Sequence, residues 1–83
     1  MKTIILPASR LNDDPHTFLS EAFGFPSWYG RNLDALYDLL TDICEPTSVY
    51  FWRSWALEPY GKKILRVFRD AEESCRYLFV YEQ

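Results

Sequence analysis

The order in which the residue patterns change constrains this chain more than any single motif. A β-branched, apolar run at Lys2–Leu6 is stopped by Pro7 and followed by helical spacing. A second such run, Thr47–Trp55, precedes another long helical stretch, and a third lies within Arg76–Gln83. Strands separated by helices cannot pair as tight hairpins, because a helical crossover returns the chain to the starting end of the sheet. The pattern predicts a small two-layer α/β domain, a three-stranded parallel sheet with three to four helices. Eighty-three residues read as one domain, residues 1–83. A chain this short buries only about 60–65% of its unfolded surface. Its 48% hydrophobic and 18% aromatic content supplies large rings for so small a core.

Local signals set the expected boundaries. Asp13 or Asp14 should cap a helix with Pro15 in its first position, ending at Gly24. The stretch GFPSWYG (Gly24–Gly30) reads as an aromatic loop, and Asn32 as the cap of a helix from Leu33 to about Cys44, with Pro46 just beyond. Ala56–Gly61 reads as a linker before a helix over Lys62–Glu73, where Ile64, Leu65, Phe68 and Ala71 share a stripe. The last two strands are apolar at both alternating sets of positions, Val49 and Phe51 against Tyr50 and Trp52, and Leu78 and Val80 against Phe79 and Tyr81. That pattern predicts a sheet buried on nearly both faces.

The Leu33–Cys44 helix carries an unusual charge pattern. At about 100° per residue, Leu36, Leu40 and Ile43 fall together, with Leu33 and Leu39 beside them. Asp34, Asp38 and Glu45 fall on the far side with Thr41 among them, while Asp42 and Tyr37 mark the edges. No lysine or arginine lies between Leu33 and Glu45. Solvated helix faces usually alternate acid and base, because opposite pairs at four-residue spacing stabilise by ~0.2–0.5 kcal/mol and like pairs cost a similar amount. Aspartate is also a mediocre helix former, and only Asp34 lies near the favourable end of the helix dipole. The face is therefore expected to meet a positive partner, with Trp28 and Tyr37 as aromatic anchors beside it, while Tyr29 reads equally as an anchor or as a core residue.

Other functions find less support. Nine basic against twelve acidic residues give a net charge of −3, the reverse of a nucleic-acid footprint, so no direct nucleic-acid binding is expected. The N-terminal apolar run spans four residues, too few for a signal peptide or a membrane span, which points to a cytoplasmic protein with no membrane partner. Cys44 and Cys75 lack metal or redox spacing and read as free thiols. There is no phosphate-cradling glycine loop, no GxSxG and no HExxH. His16, the single histidine, belongs to a different helix. No catalytic residue, metal site or cofactor is expected, so the chain does not read as an enzyme. The free form is expected to be a monomer.

The stretch FPSWYGRNLDALYDLLTD (Phe25–Asp42) strongly resembles the signature of the barstar family, intracellular inhibitors of secreted ribonucleases. The similarity extends to Trp52–Arg53, to Val67–Ala71 and to the apolar last strand. The resemblance implies a parallel three-stranded sheet and a helix-and-loop plug, Trp28–Glu45, whose carboxylates imitate RNA phosphates in a nuclease active site. By position, Asp38 matches the acid that enters the catalytic pocket, Asp34 its neighbour, and Thr41 and Glu45 further contacts. Trp28 stands where an aromatic covers the nuclease's catalytic histidine, Tyr37 where tryptophan is usual, and Asp70 where glutamate is usual. Two departures stand out: Arg31 replaces an acid, and the Trp52–Val67 stretch is shorter, which should reduce the family's short third helix. The function implied is inhibition of a basic ribonuclease or RNase toxin domain, in the manner of an immunity protein. The alternative is a non-inhibitory adaptor of the same fold that binds another basic protein.

Overall fold

The computed structural model describes residues 2–83. The elements run β1 (Lys2–Pro7), α1 (Ala8–Leu11), α2 (Pro15–Phe23), α3 (Leu33–Thr41), β2 (Thr47–Trp52), α4 (Pro59–Ser74) and β3 (Leu78–Glu82), with a 3-10 turn at Ser54–Ala56 before α4. The strands form one sheet in the order β1-β2-β3, and both pairings are parallel. Ile4, Val49 and Val80 lie in one row across the sheet, and Ile5, Tyr50 and Tyr81 in the next.

Capping chemistry explains most boundaries. Gly24 closes α2 in the left-handed region, φ 68°, where a side chain would be strained. Asn32 opens α3 as expected: its Oδ1 accepts the Ala35 N–H at 2.8 Å. Asp14 stands at the cap position of α2, but its own left-handed backbone, φ 46°, leaves its side chain without a capping bond. Helix α3 stops at Thr41 rather than near Cys44. The Thr41 hydroxyl donates back to the Tyr37 and Asp38 carbonyls, and the end is closed by the Asp42 N–H to the Leu39 carbonyl and the Ile43 N–H to the Leu40 carbonyl. Glu45 therefore lies beyond the helix and off its carboxylate face.

At the other end, α4 starts earlier than the sequence suggests, because Pro59 takes the first helical position, where no N–H is needed. Gly61 fits there by close approach: a Cβ would stand 2.9 Å from Leu57 Cδ2 and 3.1 Å from Asn12 Oδ1. Asn12 ties this corner together, accepting from the Glu58 N–H and donating to the Ala56 carbonyl. The 3-10 turn occupies the shortened stretch after β2.

Helices cover one face of the sheet. Leu36 and Leu40 of α3 and Ile64, Phe68 and Ala71 of α4 are fully buried against Leu6, Val49 and Phe51. Phe68 sits edge-on to Phe51, with ring centroids 5.1 Å apart, and also meets Phe23. The other face is open, and this corrects the expectation of two-sided burial. Ile5, Trp52, Phe79 and Tyr81, the outward positions, all remain exposed. Aromatic, β-branched strands signal strand propensity and say little about what lies above the second face.

The free edge of β3 is closed by side chains. Glu72 Oε2 accepts the Val80 N–H at 2.7 Å, while Arg69 donates to the Val80 carbonyl at 2.9 Å and to Glu82 at 2.7 Å. An edge strand whose polar groups are taken in this way offers no template to another chain. Cys44 and Cys75 are free, the former exposed and the latter buried with its thiol against the Ile43 carbonyl. No helix of the described residues is long and apolar enough to cross a membrane.

Candidate protein-binding face

Because Leu36 and Leu40 point into the core, the opposite side of α3 must face solvent. Asp34 and Asp38 occupy that side and are exposed, as is Asp42 at its end. Among the described residues, ion pairs form only at Arg69, with Glu72 and Glu82. The carboxylates of Asp34, Asp38, Asp42, Glu45 and Asp70 thus have no internal cation within 4.0 Å. Asp38 lines a shallow groove with Trp28, Gly30, Ala35, Leu39, Thr41 and Asp42. Trp28, 74% exposed, forms its aromatic wall.

Two of the expected aromatics are held rather than free. Tyr37 is half-buried, and its hydroxyl lies 2.8 Å from Ser74 Oγ, which joins α3 to α4. Asp70 stands one turn before Ser74 on the same side of α4, placing its exposed carboxylate near this junction. Tyr29 is buried, so it cannot present a surface to a partner. Its role is positioning: its hydroxyl lies 2.7 Å from His16 Nδ1, and its ring packs on Phe25. Thr41 is half-buried with its hydroxyl spent on the helix end. The structure brings Asp34, Asp38, Trp28 and the rim of Tyr37 to one surface, with Asp70 on the neighbouring helix and Glu45 in the loop after α3.

His16 is the residue the sequence reading undervalued. Its Nε2 lies 2.7 Å from the Tyr60 hydroxyl, so one imidazole links the aromatic loop, α2 and the start of α4. Tyr60 is 44 residues away in sequence, and no spacing could have announced the pairing. A neutral imidazole supplies one donor and one acceptor, which suits two hydroxyls. Burial, and then the charge of Arg31, push the His16 pKa below its ordinary value against an opposing pull from Asp14. Burial likewise pushes the Tyr29 hydroxyl up to about 12, with Tyr60 adding to it and Arg31 opposing. Arg31, in a left-handed conformation at φ 53°, donates to Thr17 Oγ1 at 2.9 Å. That bond holds its guanidinium against α2.

A two-layer α/β module with no internal counter-ions on an acidic helix face and an exposed tryptophan beside it has the chemistry of a surface that another protein can bind. The chain matches the family described as Barstar (barnase inhibitor) over residues 2–80, and it belongs to that family. It is also similar to a Bacillus subtilis (strain 168) protein named "Putative ribonuclease inhibitor YrdF", with 33% identity over 66 residues that cover 74% of this chain and 72% of the relative.

Proposed function

We propose that this protein inhibits a ribonuclease by occluding its active site with α3 and the Trp28 loop, without chemistry of its own. The carrying observation is the set of exposed carboxylates on α3 with no internal cation beside an exposed indole. A nuclease site must hold phosphates with arginines and lysines, so it presents the charge these carboxylates lack. Asp38 enters that site, Asp34 and Asp70 pair around it, and Trp28 and Tyr37 cover neighbouring rings or stems. Thr41 at the helix end and Glu45 in the loop after it close the contact. The partner is a basic ribonuclease or RNase toxin domain, met in the cytoplasm by an immunity protein. Family membership and the relative's name support the inhibitory role.

The adaptor reading draws on Arg31, a cation where the family places an acid. One assay separates the two. RNA cleavage by a panel of basic microbial ribonucleases is followed with and without the protein, and stoichiometric suppression of at least one is expected. Protection from none of them favours the adaptor, and turnover of RNA by the purified chain would overturn both readings.

A further inference from the structure

The face of the sheet turned away from the helices carries Ile5, Tyr50, Trp52, Phe79 and Tyr81. Ile5 is 59% exposed, Trp52 46%, Tyr81 44% and Phe79 39%. Tyr50 and Tyr81 are stacked, their ring centroids 4.9 Å apart, and with Ile5 they form the middle row across all three strands. The remaining outward positions of the strands are Thr3, Pro7 and Ser48, all uncharged, and a cation borders the patch at its rim, where the Arg53 guanidinium lies 5.0 Å from the Trp52 ring centroid. In a chain that is 25% charged, this face is set apart.

We propose, against the sequence-based expectation of a free monomer, that this face is a dimer interface, occupied by the same face of a second copy of this chain. The inference is independent of the nuclease reading. Apolar strand positions with a cation at their rim offer nothing to a basic partner, whereas an identical apolar face on a second copy matches them in chemistry by symmetry. At these exposures the large side chains leave roughly 450 Å² of apolar surface, within the size range where patches on monomers carry function. Two such faces with their rims bury about 1,000–1,200 Å², the lower end for a specific interface, which marks the contact as a weak one. Face-to-face stacking at about 10 Å is the ordinary way for uncovered sheets to lose water. The edge route is closed on the β3 side by Glu72 and Arg69. The acidic face lies on the helix layer of a body 19 Å thin at its least, so carboxylate repulsion between copies is screened over more than a Debye length, about 8 Å.

Sedimentation velocity from about 1 to 500 µM at 0.15 M salt tests this, a range set by the expected affinity. The wild type should move from 9.9 kDa toward twice that mass as concentration rises. Tyr81→Lys and Ile5→Lys, on different strands and at exposed positions, should each weaken association at least tenfold with unchanged circular dichroism. If one fails to fold, the other carries the test. A wild type still at 9.9 kDa at the top concentration overturns the proposal. So does open-ended growth beyond a dimer, or a dimer that both lysine variants leave intact and Asp38→Ala abolishes.

Discussion

In the proposed complex Asp38 should carry the most weight of any single residue, because it sits mid-face, flanked by Trp28 in a groove that a partner would dry. There, Coulomb attraction escapes the screening that exposed pairs suffer. Asp38→Ala should cost on the order of 3–5 kcal/mol of affinity for the cognate nuclease, since it strands a buried cation on the other side. That magnitude is inherited from close charge pairs of the barstar class. The free protein should melt at the same temperature or slightly higher, because like-charge repulsion with Asp34 and Asp42 is relieved. Isothermal titration and thermal melts on one variant decide both points. Asp42 has the opposite profile: as a carboxylate at the C-terminal end of α3 it opposes the helix dipole. Asp42→Asn should raise stability by about 0.3–1 kcal/mol and change binding little, as denaturant titration beside the binding assay would show. His16 supplies the pH dependence. Its folded pKa is depressed, so the unfolded chain takes up the proton first, and stability present above the ordinary histidine pKa is lost as pH falls below it. Melting temperature should fall on acidification from pH 7 through about 6, and His16→Gln should remove that part of the slope. An unchanged slope in the variant refutes the assignment.

Among the elements, α3 was the most legible, since Asn32, the leucine spacing and the aspartates each carry a local signal. Its end was less so. Thr41 terminates it by side-chain bonds to carbonyls, a competition that spacing does not reveal. Helix α1 escaped notice because four residues hold too little periodicity, and the bare sheet face because alternation reports strand propensity and not cover. Tyr29 reads as either a surface anchor or a core residue, and it is buried because His16 meets its hydroxyl from another element. The β3 edge was equally invisible, as Glu72 and Arg69 look like ordinary solvated helix charges until Val80 is placed beside them. Removing Glu72 leaves the Val80 N–H without its partner, so Glu72→Ala should cost about 1–3 kcal/mol in urea unfolding. Asp70→Ala, on the same helix with no ion pair, should cost less than about 0.5 kcal/mol. Equal losses for the two would show that the clamp contributes nothing.

For the molecule as a whole, charge governs encounter more than residence. A net charge of −3, with carboxylates gathered on one helix, should steer a basic nuclease toward α3. Raising salt from about 0.05 to 0.5 M should slow association by one to two decades and leave the dissociation rate nearly constant, measurable by stopped flow. An association rate insensitive to salt would mean that the acidic face plays no part in docking. The one-sided layering has a practical meaning as well. Since α3 and α4 pack on one side of the sheet, the face proposed to meet the nuclease and the face proposed to meet a second copy point in opposite directions. A tether placed on the strand side, at Thr3 for example, would display α3 outward to solution, whereas one placed at Asp34 would bury the reading surface against its support. Orientation alone could then switch the same protein, on the same solid surface, between capturing its partner and ignoring it.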